Sequence, residues 1–213
     1  MGHKINPLGY RIGITEPHRS TWFARGPQYG EMVAQDYRIR EFLKKRFGGA
    51  AIEKILIERK ADRLSVTMHS GRPGVIIGRK GMEIEQVTRD IEKLSGSKVK
   101  INIVEVRKPQ LSAQLVAENV AEQLERRAAF RRAMKRAIEE AMGEGALGMS
   151  IKVSGRLGGA EIARTEAEMV GSVPLTQLRA HIDYGYAIAR CPYGVIGVRT
   201  WINLGKYSNN KDQ

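Results

Sequence analysis

The stretch Val75-Ile76-Ile77-Gly78-Arg79-Lys80-Gly81-Met82-Glu83-Ile84 places two glycines three positions apart between apolar runs. Such a pair lets the backbone bend tightly and approach a sugar–phosphate chain, while the helix that follows presents unpaired N–H groups and a partial positive charge. A phosphate fits there. Gly78, Arg79, Lys80 and Gly81 are therefore candidate phosphate contacts, with Arg72 just upstream. Working outward, Ile84, Val87, Ile91 and Leu94 recur at helical spacing after the loop. Before it, alternating stretches through Ile52, Ile55 and Ile57 and through Leu64, Val66 and Met68 flank Lys60-Ala61-Asp62-Arg63, an antiparallel hairpin pattern. A helix is expected from Glu31 to Phe47, closed by Gly48-Gly49, and a last strand through Val99, Ile101, Ile103 and Val106 stops at Pro109.

The unit over 31–108 thus reads helix, strand, strand, short helix, helix, strand. With its G-x-x-G loop it resembles the K-homology (KH) fold in its type II arrangement. That resemblance implies RNA binding, in which the loop clamps about four nucleotides and the neighbouring apolar groove holds unstacked bases. A lone G-x-x-G is a weak signal, because such turns often merely join helices. The surrounding elements favour the RNA reading.

Lys108-Pro109-Gln110 marks a boundary, after which Ser112 is a candidate N-cap for a helix of about thirty residues ending at Gly143. Its middle carries Arg126, Arg127, Arg131, Arg132, Lys135 and Arg136 with no acid among them. At 100° per residue, Arg131, Arg132, Lys135 and Arg136 spread over roughly 140° beside an apolar arc of Phe130, Met134, Ala137, Ile138 and Ala141. One side packs and the next faces phosphate; the bland alternative is a solvated face balanced by Glu122, Glu125, Glu139 and Glu140. Strands are expected near Met149–Val153, Ala180–Tyr184 and Val195–Leu204, with a helix over Ala160–Met169. In Ser154 to Glu166, glycines leave a strand with Arg156 at the bend and Arg164 one turn into that helix; structural turn and phosphate contact are equally open.

The expected architecture is α+β: a type II KH domain, then a second α+β domain with a long helix packed on a mixed β-sheet. The boundaries are a basic N-terminal arm over 1–30, the KH domain over 31–108, the second domain over 109–206 and a short tail over 207–213. The arm is rich in Gly, Pro and scattered Arg, has no periodic pattern, and contributes Lys4 and Arg11 as candidate RNA contacts.

The 213 residues carry 36 Lys+Arg against 23 Asp+Glu, a net +13 that calls for polyanionic partners, nucleic acid first. Cys191 is the only cysteine and the four histidines are scattered, so no internal disulfide, structural zinc or other metal is expected, and the compartment reads as a reducing cytosol. No run of 18 apolar residues or signal-peptide pattern appears, so no membrane partner is expected. Enzyme signals fail on context. Gly143 to Gly148 matches G-x-G-x-x-G but leaves a helix and enters a strand, the reverse of a dinucleotide site, and no P-loop is present. Glu83 and Glu85 suit a helix start better than Mg²⁺. No catalytic residue and no cofactor are expected.

Several blocks together resemble the family of small ribosomal subunit protein three of the bacterial type. They are Met1 to Gly13, the KH loop, Phe130-Arg131-Arg132-Ala133-Met134-Lys135-Arg136, Ser154 to Glu166, Val173-Pro174-Leu175, Leu178-Arg179-Ala180 and Tyr193 to Val198. The resemblance implies a structural constituent of the small-subunit head in the cytoplasm. It would bind the 3′ domain of small-subunit ribosomal RNA and neighbour small-subunit proteins ten and fourteen. With proteins four and five it would line the channel through which mRNA enters, Arg131, Arg132 and Lys135 assisting unwinding of the message. One departure stands out: Ala167 to Ser172 replaces the aromatic and basic stretch that relatives carry there. The alternative is a KH-containing RNA-binding assembly or transcription factor acting off the ribosome, which would leave free pools when extracts are sedimented at high salt.

Overall fold

The computed structural model describes residues 5–60 and 63–207; residues 1–4, Lys4 among them, 61–62 and the expected tail from 208 onward lie outside them. Two compact units result, one from His18 to Arg107 and one joining residues up to Pro17 with those from Lys108 onward.

In the first unit the elements follow in the order α2 (Pro27–Arg46), β2 (Ile52–Lys60), β3 (Arg63–Ser70), α3 (Pro73–Ile77), α4 (Met82–Ser95) and β4 (Lys98–Glu105), preceded by a two-residue strand β1 (Ser20–Thr21). A helix α1 (Pro7–Arg11) comes earlier in the chain and belongs to the other unit. The sheet order is β1-β2-β3-β4. β2 and β3 run antiparallel with Ile55 opposite Met68 and Ile57 opposite Val66, while β4 returns parallel to β3 through the crossover that holds the G-x-x-G loop. Alternation turns Ile55, Ile57, Leu64, Val66 and Met68 to one face. There they meet Ile39 and Leu43 of α2, Ile76 of α3, and Val87 and Ile91 of α4, all buried. Each such side chain contributes about 1.5–3 kcal/mol relative to exposure.

Over its described residues, 5–30, the arm holds short ordered elements in place of the unpatterned tether expected over 1–30. Residues 18–22 are anchored to α2 through Asp36, whose carboxylate accepts from Ser20 Oγ at 2.9 Å and Trp22 Nε1 at 2.8 Å and pairs with Arg59 at 2.5 Å. Arg40 donates to the carbonyls of Arg19 and Ile55. In α1, Asn6 caps the start by accepting from Leu8 N at 2.9 Å. Single polar anchors order these segments, and anchors leave no periodic trace.

The second unit departs from expectation in three places. The thirty-residue helix is two helices, α5 (Ala113–Glu125) and α6 (Phe130–Gly143), broken where Arg127 takes φ +62°. Their apolar stripes, Val116-Val120-Leu124 and Met134-Ala137-Ile138-Ala141, would point roughly 50° apart on one continuous helix. The break lets both face the sheet. The helix expected over Ala160–Met169 is instead strand β6 (Arg164–Gly171), paired antiparallel along its whole length with β5 (Gly148–Gly155). Its Glu and Ala content favours a helix, and tertiary pairing overrides that preference. Third, the sheet is not mixed: β5, β6, β7 (Ala180–Cys191) and β8 (Gly194–Lys206) are all antiparallel, in the order β6-β5-β8-β7. The mixed sheet belongs to the first unit.

Ser112 makes no capping bond with its side chain. Asp183 of β7 accepts from Ala113 N at 2.7 Å instead, and Thr200 of β8 donates to Ala113 O at 2.6 Å. Gly185 permits this close seating, since a Cβ there would lie 2.1 Å from Ala113 O.

Candidate nucleic-acid interface

The G-x-x-G loop is built as the spacing predicts, with α3 ending at Ile77, one 3₁₀ turn over Arg79–Gly81, then α4. Gly78 sits at φ 69°, ψ −172°, and Gly81 at φ 78°, ψ 5°, both in the region that disfavours side chains. Arg79 is exposed, as is Arg72 upstream; Lys80 is described by its backbone course alone. Beside the loop, Val75, Ile77 and Met82 are exposed apolar side chains next to buried Ile76. A cationic turn thus borders an apolar rim, a geometry suited to phosphate and unstacked base together.

On α6 the expected division holds. Met134, Ala137, Ile138 and Ala141 are buried while Arg131, Arg132, Lys135 and Arg136 are exposed. Some of this charge is shared with acids: Arg136 meets Glu140 at 2.8 Å and Arg131 lies 3.7 Å from Glu166, while Arg126, at the end of α5, meets Glu122 at 2.5 Å. These are exposed pairs of small energy, readily exchanged for phosphate. Among the described residues no ion pair forms at Arg127, Arg132 or Lys135.

The fold also recruits Arg164. It opens β6 rather than sitting in a helix, and its guanidinium lies 5.8 Å from the Phe130 ring centre, with that of Arg131 at 5.6 Å. Two arginines far apart in sequence thus meet on one aromatic ring at the start of α6. Only the pairing of β6 reveals this.

Two other candidates have internal duties. Arg11 is fully buried. Its guanidinium donates to the carbonyls of Ala180 (3.0 Å), Pro7 (3.1 Å), Leu175 (3.2 Å) and Gln177 (2.8 Å), which removes it from any RNA surface. Arg156 holds its own turn, donating to Ala160 O at 2.8 Å and Tyr193 O at 3.0 Å. It remains partly accessible at the bend. Among the described residues no cluster of three metal-ligating side chains occurs, and no helix is long and apolar enough to cross a membrane.

An α–β–β–α–α–β unit with a glycine loop, joined to a cation-faced helix on a second sheet, defines an α+β RNA-binding protein of the KH class. Residues 38–111 match the KH domain family, and residues 120–202 match the family described as ribosomal protein S3, C-terminal domain. The chain is 55% identical over 206 residues to small ribosomal subunit protein uS3 of Parvibaculum lavamentivorans, covering 97% of this chain and 87% of that one. It is 54% identical to the protein of the same name from Caulobacter sp. strain K31, at 97% and 83% coverage, and 50% identical to that of Ruegeria sp. strain TM1040, at 100% and 89%. The chain belongs to the ribosomal protein S3 family of the small subunit. These relatives are named as ribosomal constituents, and the family is not an enzymatic one.

Proposed function

We propose that this protein is a structural constituent of the small-subunit head that binds the 3′ domain of ribosomal RNA and lines the channel through which mRNA enters. Arg131, Arg132 and Lys135 face the message there and hold strands that translocation has separated. The work of unwinding comes from the ribosome, so the chain needs no nucleotide site. Its neighbours are small-subunit proteins ten and fourteen, with four and five beside the channel, and it works in the cytoplasm as part of the ribosome. The observation that carries this reading is the exposed cationic face of α6, on which Arg132 and Lys135 form no ion pair among the described residues. Charge without an internal partner is charge available to phosphate. The test is translation by ribosomes carrying Arg131→Ala, Arg132→Ala and Lys135→Ala together. Subunits should assemble, and elongation should slow several-fold through a stable mRNA hairpin but not along unstructured message. Equal speed on both templates would count against the proposal.

A further inference from the structure

The sheet of the second unit has two faces, and α5 and α6 cover only one. Ile151, Val153, Val198 and Ile202 are buried on that side. By strand alternation Lys152, Arg199, Trp201 and Tyr184 stand on the other. This outer face borders a cleft of about 560 Å³ that these four side chains line together with the segment Ile5–Pro7. The volume lies within the range of small-ligand sites.

The chemistry of the face is one-sided. Lys152 lies directly opposite Arg199 across the β5–β8 ladder. Like charges in that position are destabilising, and neither side chain forms an ion pair among the described residues. The outward positions from Ser150 to Ser154, Thr165 to Met169, Tyr184 to Arg190 and Val195 to Trp201 contain no Asp or Glu. The acids of β6, Glu166 and Glu168, are on the helix side, in register with buried Val153 and Ile151. Beside the two cations, the Trp201 and Tyr184 rings stand 5.6 Å apart, tilted by 48°, and Tyr186 supports the Arg199 guanidinium at 5.9 Å. Opposed cations call for an anion, and partly open rings call for a flat apolar partner. An unpaired nucleotide supplies both.

We propose that this outer face is a second RNA site, where a base of a single-stranded segment stacks on Trp201 and Tyr184 while its flanking phosphates lie on Lys152 and Arg199. The site rests on the RNA-binding reading above but uses neither the glycine loop nor α6. Recognition is by stacking and charge, so it tolerates any base.

The chain has two tryptophans, so Trp22→Phe leaves Trp201 as the only indole reporter. The full-length variant is titrated with an unstructured ten-nucleotide RNA, following Trp201 emission and, in parallel, the anisotropy of a dye on the RNA. Trp201 emission should be quenched with the same midpoint as the anisotropy rise. Trp201→Leu in the otherwise unaltered chain should weaken binding about tenfold and Trp201→Phe much less, since Phe still stacks. Lys152→Ala with Arg199→Ala should weaken binding and flatten its salt dependence, whereas Arg132→Ala with Lys135→Ala should leave the quenching amplitude in place. RNA that binds by anisotropy without perturbing Trp201 overturns this site and leaves the RNA-binding reading standing; a flat anisotropy overturns both. Ultraviolet crosslinks in assembled subunits that join the Trp201 peptide to a protein instead of RNA would also overturn it.

Discussion

Arg11 is the clearest case of a cation whose sequence context suggests one partner and whose surroundings supply another. Four carbonyls, from Pro7, Leu175, Gln177 and Ala180, receive its donors in a fully buried position. Arg11→Ala removes these four bonds from a buried position and should destabilise the second unit by on the order of 3 kcal/mol, read as a lower melting temperature. Lys should not restore it, because a single ammonium cannot span the fork that a guanidinium does. The salt dependence of RNA binding should stay unchanged, and a shallower slope would return Arg11 to the RNA surface. The loop glycines divide in a similar way. At Gly78 a new Cβ would fall 2.6 Å from Glu83 Cγ, so Gly78→Asp should cost about 1–3 kcal/mol of stability before RNA is involved. Gly81 is in the left-handed helical region with only Ile84 Cγ2 at 4.0 Å, a conformation Asp tolerates. Gly81→Asp is therefore the cleaner probe: it should fold and bind RNA several-fold more weakly. Unaltered crosslinking at 78–81 would make the loop a connector only.

At the scale of elements, the break between α5 and α6 sets which way the cations point. The break brings the α6 stripe of Met134, Ala137, Ile138 and Ala141 onto the sheet, and the opposite side then carries Arg132 and Lys135 outward. Arg127 holds the break at a φ that costs a non-glycine residue about 1 kcal/mol. Arg127→Gly should raise the melting temperature while lowering RNA affinity, a split that a purely structural role for this residue would not produce. For the helix as a whole, removing Arg131, Arg132 and Lys135 together should reduce the slope of log affinity against log salt by about 2 for single-stranded RNA. A smaller change would mean that Glu166 and Glu140 already engage this face in solution.

At the scale of the molecule, the chain leaves the second unit after Pro17 and re-enters it at Lys108. Residues 18–107 contain their own core, and that fragment should unfold cooperatively by itself. A fragment from 108 onward lacks Arg11 and should be less stable. A peptide covering 5–17 added in trans should raise its melting temperature, and the same peptide with Arg11→Ala should not; equal melting with and without peptide would refute the discontinuous unit. Much of this was readable from residues alone. The hairpin, the KH order, the glycine loop and the division of α6 into packed and charged sides are written in patterns that span two to fifteen residues, where backbone geometry couples directly to residue type. The family too was legible, in blocks such as Phe130 to Arg136 and Ser154 to Glu166. Tertiary structure alone decided the fate of Arg11, whose bond to Ala180 joins positions 169 apart, the conversion of Arg164–Gly171 from expected helix to strand, and the opposition of Lys152 and Arg199. Each of these depends on which distant segment supplies a carbonyl, a ladder partner or a neighbouring charge. Local periodicity holds no record of a partner that chain folding brings from elsewhere.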